Sequence, residues 1–354
     1  MTQHAAVAPR RQTGRLVIPD VLRGVAIVAM LVAHGMPIMM LVPDAVAVAV
    51  QLLNDLASPL FALVMGMAAQ LVLQRPGATR GAVTAQQLAR GAILLVLGVW
   101  LSTWGSWVAI VLSFLGLTLI VGAPLLLLGT RWIVGLAVLL LVVSQPLTHA
   151  LNELFAPLIT AVPLARIPVD WISLGGHYRL VNLLPMFLIG AVLLRRGVPA
   201  SPRALVTIAA VGLVAFSADQ VVVSLAGAPS ASGTWADSAR DIGLVAFAYA
   251  AVGALAGVRR PGARGVVAAV FLPLRACGSV ALSLYVVQIA LIAWWAGQGI
   301  GWQGSNHPVL WVILVPGLIV VGTLWWRFVG LGPIEWLMGV VTGRYAWRSP
   351  GAAA

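Results

Sequence analysis

Apolar runs of about 20 residues alternate along the chain with short connections rich in arginine, proline and glycine. Ten such runs can be drawn, at 18–41, 47–73, 86–105, 107–129, 132–151, 178–194, 204–226, 236–257, 274–296 and 308–329. About 20 helical residues cross a hydrocarbon core about 30 Å thick, so each run predicts one transmembrane helix. The expected fold is all-α, a polytopic bundle of about ten spans. A tail over 1–17 precedes a single domain over 18–329. A short amphipathic stretch beginning Gly332-Pro-Ile-Glu335-Trp336-Leu opens the closing segment, 330–354, and suits the membrane interface. The longest connections are 152–177 and 227–236, and the first reads equally as a lid over a site or as a plain link.

Composition narrows the class. Of 354 residues, 61% are hydrophobic and 8% charged, with mean hydropathy +1.03, where a soluble domain is about a quarter charged. The net charge of +12 suggests nucleic acid until its positions are read. All 21 basic residues are arginines, clustered between apolar runs with no basic stripe interleaved with aromatics. With the N-terminus inside, 18 of them fall on the cytoplasmic side and only Arg166, Arg179 and Arg240 outside. The positive-inside rule therefore predicts a multi-pass protein of the cell membrane with both termini cytoplasmic. Arg10, Arg11 and Arg15 ahead of the first run imitate a signal peptide, but the run over 21–42 exceeds a signal core and carries Arg23 and His34. It is expected to stay as the first span. Cys277, the lone cysteine, excludes an intramolecular disulfide and a CxxC metal site, and no metal is expected.

Ionisable residues inside membrane-length runs mark functional interiors by default. Arg23 and His34 stand eleven residues apart, three turns plus about 20°, so they share one helix face about 16 Å apart. Asp20 lies one turn before Arg23. The pair is either an i,i+3 anchor at the headgroups or an anion site for a cytoplasmic ligand's phosphates. His34 is either a helix-bridging histidine or a base, since imidazole changes charge near neutral pH. Asn54 and Asp55 follow on the second span. In a hairpin turning at Pro43-Asp44, Asp55 stands level with His34 and could orient it, or could instead meet backbone or another helix. Tyr285 and Gln288 on the ninth span suit a cavity lining, whereas Ser279 and Ser283 read as helix–helix glue. His177, Arg179 and Asn182 sit at the outer mouth of the sixth span, the place for an acceptor entrance. Asp219 and Gln220 have no evident place.

Asp20-Val-Leu-Arg23-Gly-Val-Ala, with ten residues between Arg23 and His34, resembles the Arg-x10-His motif of the membrane acyltransferase-3 family. The rest is more similar to the YeiB-like family, related to heparan-α-glucosaminide N-acetyltransferase. The matching pieces are Ser58-Pro-Leu-Phe-Ala-Leu-Val-Met-Gly66, Phe114-Leu-Gly-Leu, Leu184-Pro-Met-Phe-Leu-Ile-Gly190, Gly278-Ser-Val-Ala-Leu-Ser-Leu-Tyr285-Val-Val-Gln288 and Gly332-Pro-Ile-Glu-Trp336. Two departures stand out: the YeiB-like pattern carries asparagine where this chain has His34, and Val64-Met65-Gly66 replaces the acyltransferase-3 second-helix signature. The resemblance implies an integral membrane acyltransferase. Acyl-CoA, acetyl-CoA in the first instance, would be the co-substrate from the cytoplasm, with a glycan, lipid or small molecule as acceptor at the outer side. His34 would be the catalytic base with Asp55 orienting it. Arg23, with Asp20 beside it and Arg90 or Arg275 nearby, would hold CoA phosphates. Asn54, His177, Arg179, Tyr285 and Gln288 would line the substrate path. Membrane lipids are the other expected partners, nucleic acid is not, and a homodimer is left open. The rival reading is a proton-coupled transporter or flippase in which His34 and Asp55 couple protons.

Overall fold

The computed structural model describes residues 17–39, 42–162, 166–197, 201–258, 260–301 and 306–343. The tail arginines Arg10, Arg11, Arg15, Arg344 and Arg348, and Arg259, lie outside them. Among the described residues the chain is helical throughout, without strands. In order come α1 (Val17–His34), α2 (Asp44–Leu73), α3 (Arg80–Ser102), α4 (Leu112–Leu125), α5 (Thr130–Ala161), α6 (Arg166–Val169) and α7 (Leu180–Arg195). There follow α8 (Pro202–Ala226), α9 (Trp235–Ala256), α10 (Pro261–Ser279), α11 (Ala281–Gly297), α12 (Pro308–Val312), α13 (Leu318–Phe328) and α14 (Pro333–Val341). A π turn over Ile313–Gly317 joins α12 to α13, so 308–328 is one continuous apolar helix.

Among the described residues, seven helices are long and apolar enough to cross a membrane, which makes this a multi-pass membrane protein. The run at 274–296 falls on α10 and α11, bent by 75° around Val280. The runs at 107–129 and 178–194 fall on α4 and α7, of 14 and 16 residues, shorter than a full crossing. The connection expected over 152–177 is largely helical instead. Here α5 continues to Ala161 through Pro146 and Pro157, and α6 and a π turn at Asp170–Leu174 follow. At 32 residues α5 is about 48 Å long, so it outruns the hydrocarbon core and its last turns project past it. Below, the end of the bundle where α1 begins is called proximal and the end where it finishes distal.

Glycines set the tight crossings. A β-carbon at Gly24 would overlap the Leu274 carbonyl, and one at Gly278 the Asp20 carbonyl, so α1 and α10 cross backbone to backbone. Gly66 and Gly190 do the same for α2 and α7, against Phe187 and Leu63. Small residues that admit close helix approach are the main source of packing energy where lipid removes the hydrophobic drive between helices. Capping is local. Thr234 accepts from the Asp237 amide at 3.2 Å while the Asp237 carboxylate accepts from the Gly233 amide at 2.7 Å, a reciprocal box that starts α9. Arg195 supplies the C-terminal counterpart for α4: its guanidinium donates to the Leu126 carbonyl and, at 2.9 Å, to that of Leu128.

Candidate functional site: two cavities along one helix

A cavity of about 160 Å³ enters the bundle from the proximal side. Arg23 of α1 and Gln87 and Arg90 of α3 mark its charged end; Phe61 and Met65 of α2 and Leu115 of α4 form an apolar body. Arg23 lies 3.9 Å from Asp20 and donates to the Gly278 carbonyl at 3.4 Å, so the α1–α10 crossing also fixes this guanidinium. Asp20 is buried behind it and does not line the cavity. Arg90 turns toward Gln87, at 3.4 Å. Arg275, expected beside Arg23, is not here. The crossing at Gly278 sets the rotation of α10 and turns Arg275 into a separate cavity with Arg264.

Glu335 and Met338 of α14 close the floor. The Glu335 carboxylate accepts from the backbone amides of Leu282 at 2.7 Å and Ser283 at 3.2 Å, and from the Ser283 hydroxyl. It therefore satisfies the first N–H groups of α11, exposed by the break at Val280. Ser283, read from the sequence as helix glue, is the receptor for this cap.

Tyr285 heads the cavity, its hydroxyl accepting from the Val111 amide at 3.3 Å. One turn further along α11, the fully buried Gln288 carboxamide meets Nδ1 of His34. With Nε2 of Gln288 donating, Oε1 is left buried without a partner. Rotating the carboxamide lets Nδ1–H donate to Oε1, satisfies that oxygen, and leaves the ring Nε2 with a free lone pair, the tautomer a general base requires. Trp107 Nε1 donates to the His34 carbonyl at 3.3 Å and pins the end of α1. His34 and Gln288 are thus brought together by α1 and α11, but neither lines the proximal or the distal cavity, so the expectation that Gln288 lines the substrate path is not met.

A second cavity, of about 250 Å³ and mainly polar, lies toward the distal end. Asn54, Asp55, His177, Arg179 and Asn182, all singled out from the sequence, line it. The hairpin expectation for Asp55 fails here. Its carboxylate accepts from Gln51 at 2.8 Å and faces Arg240 Nε at 3.1 Å, with no contact to His34. The face of α2 that carries Asp55 points to α9, through Arg240, rather than to His34 on α1. Arg240 also meets Asp237 at 2.6 Å and Asp219 at 3.9 Å, and Ser230 donates to Asp219. Asp241 lines the cavity without a hydrogen bond or ion pair to any other described residue. Arg179 gives one nitrogen to Ser232 at 3.1 Å while its buried Nε has no acceptor, and the Oδ1 of Asn182 is equally unmet. Asp237, Arg240, Asp241 and Ser230 were missed from the sequence. The available signal was Asp237-Ser-Ala-Arg240-Asp241, three charges on one turn at the start of an apolar run.

The two cavities share one stripe of α2. Gln51, Asp55 and Ser58 line the distal one, and Phe61, Met65 and Ala68 the proximal one, at steps of three and four. Between them packs an aromatic wall: Tyr178 stands edge-on to Phe114 at 5.6 Å, and both pack with Tyr285 in one core.

Residues 15–195, just over half of the 354, match the family model described as heparan-alpha-glucosaminide N-acetyltransferase, catalytic. The chain belongs to that family. Residues 193–344 match a second model, protein of unknown function (DUF418), and the two matches together agree with the YeiB-like resemblance. No curated protein matches the chain. In this N-acetyltransferase-family chain both cavities are built from both matched halves. The first half supplies Arg23, Arg90, Asp55 and Arg179, and the second Tyr285, Glu335, Arg240 and Asp241. The family-like sequence pieces also gain a physical reason. Gly66, Gly190 and Gly278 are crossing glycines, and Glu335 and Ser283 are each other's partners.

Proposed function

We propose that the chain is an integral membrane acyltransferase with ten spans and both termini cytoplasmic, taking an acyl group, acetyl in the first instance, from acyl-CoA to an acceptor at the outer side. The observation that carries this reading is the stacking of two chemically opposite cavities along one face of α2. The proximal one suits the donor. Arg23 and Arg90 offer guanidiniums to CoA phosphates, and the apolar body of Phe61, Met65 and Leu115 suits the arm that carries the thioester toward Tyr285. The distal one suits a hydrogen-bonding acceptor. Arg179 Nε and Asn182 Oδ1 are buried polar groups without a hydrogen-bond partner, beside the Asp241 carboxylate, that a polyhydroxy or amine-bearing molecule would satisfy.

In the reaction, the acceptor nitrogen or oxygen attacks the thioester carbonyl, the carbon–sulfur bond breaks, and the new amide or ester forms. His34 Nε2 takes the acceptor's proton and returns it to the leaving thiolate, with Gln288 holding the tautomer. The wall at Tyr178 and Phe114 parts for acceptor and donor to meet. Asp55 serves the acceptor cavity through its pair with Arg240 rather than His34.

The second reading, a proton-coupled transporter, draws on Asp55, Asp219, Asp237 and Asp241 gathered around Arg240 inside an apolar bundle. Purified protein separates the two. Binding of acetyl-CoA with slow release of free CoA, lost in His34→Ala at unchanged expression, supports the transferase. Substrate-driven proton flux in vesicles with no acetyl-CoA binding would overturn it.

A further inference from the structure

A third cavity, of about 490 Å³, belongs to neither of these sites. It lies at the proximal end, between the start of α1, the ends of α9 and α13, and α10. Among the described residues its wall is apolar, with Leu255, Phe271, Leu272 and Trp326 prominent, except for Arg264 and Arg275, and includes no carboxylate. The two arginines are eleven residues apart on α10 and so share a face. Neither guanidinium makes a hydrogen bond or ion pair to another described residue, and Nε of Arg275 is buried without an acceptor. Arg264 is exposed and Arg275 half-buried; by contrast, Arg195 is met by carbonyls, Arg240 by carboxylates and Arg179 by Ser232. An enclosed N–H without an acceptor is costly, and two cations facing one apolar cavity with no carboxylate among its described lining residues suit an anion from outside the chain. The surroundings identify the kind of anion. α10 departs from α11 by 75°, and almost every residue over 261–270 is exposed, so its first half runs along the bundle edge as an apolar and basic helix, the character of an interfacial segment. A free phosphate would leave Phe271, Leu272 and Trp326 wet. A lipid covers charge and apolar wall together.

We infer that this cavity is a slot for one anionic phospholipid of the adjoining leaflet. Its phosphate and headgroup lie between Arg264 and Arg275, and an acyl chain follows Leu255, Phe271 and Leu272. The inference is independent of what the other two cavities bind. Native mass spectrometry of the full chain in detergent tests it with phosphatidylglycerol and phosphatidylcholine of identical chains. The unaltered protein retains one phosphatidylglycerol under conditions that strip phosphatidylcholine. Arg264→Gln with Arg275→Gln lowers that retention about 30-fold, about fivefold per guanidinium. Should the double variant fold poorly, Arg264→Gln alone, on the exposed half of α10, gives the fivefold step. Leu272→Trp fills the slot without touching charge and lowers retention as well. Arg203→Gln, an exposed arginine at the start of α8, leaves it unchanged. Equal retention of the two lipids, an undiminished preference in the arginine variants, or displacement of phosphatidylglycerol by millimolar inorganic phosphate overturns the inference.

Discussion

Glu335 is the only carboxylate of α14, and its two oxygens tie that helix to the start of α11. Oε1 takes two backbone amides at the start of α11, at 2.7 and 3.2 Å, and Oε2 takes the Ser283 hydroxyl. Removing a capping side chain costs about 0.5–2 kcal/mol. Removing a negative charge from a helix N-terminus costs about 0.3–1 kcal/mol more. Other attachments remain: the Ile334 amide donates to the Ser283 hydroxyl at 3.2 Å, Gln86 donates to the Thr342 carbonyl at 3.1 Å, and Met338 is buried. Glu335→Ala is therefore expected to release α14 locally while the bundle holds. A loss of about 1–3 kcal/mol in local stability raises amide exchange about 5- to 150-fold over 333–341, and little elsewhere. Glu335→Gln keeps one acceptor oxygen and falls between the two. Gly332→Ala, whose β-carbon would overlap the Glu335 carboxylate, imitates Glu335→Ala from the other side. Hydrogen–deuterium exchange with mass spectrometry in detergent reads all three. Unchanged exchange over 333–341 in Glu335→Ala, or an equal rise in every helix, refutes the capping account.

Other outcomes follow from the same geometry. Arg240→Ala strands three carboxylates and is expected to cost about 3–5 kcal/mol, read as a lower melting temperature in detergent; adding Asp55→Asn recovers part, and additive losses would deny the coupling. Gly278→Leu forces α1 from α10, where the β-carbon would meet the Asp20 carbonyl, and is expected to abolish monodisperse protein on gel filtration; a well-behaved variant contradicts the crossing. In a Cys277→Ser background, a cysteine at Thr160 is expected to label in intact cells and one at Ala78 only after permeabilisation, and the reverse pattern inverts the topology.

The sequence disclosed depth along each helix better than rotation about it. Apolar runs and arginine positions were enough to locate the helices, and eleven-residue spacing put Arg23 and His34 on one face. Asn54 and the cluster His177, Arg179 and Asn182 come from two distant stretches yet line one cavity. Asp55 shows the limit. Its bearing depends on how α2 rolls against α7 at Gly66 and Gly190, which is settled only by packing. Arg275 differs from Arg23 for the same reason, through Gly278. The extension of α5 beyond 151 escaped notice because Pro157 reads as a breaker, although a helix can continue past proline at the loss of one hydrogen bond.

The central claim is that the donor occupies the proximal cavity and not the distal one. Cysteines placed at Met65 in the first and at Asn54 in the second, in a Cys277→Ser background, report each cavity through their rate of maleimide labelling in purified protein. Saturating acetyl-CoA is expected to protect position 65 and leave position 54 unaffected, with protection lost when Arg23 and Arg90 are both replaced by alanine. Protection at 54 alone, or none at 65 while acetyl-CoA is demonstrably bound, would contradict the account.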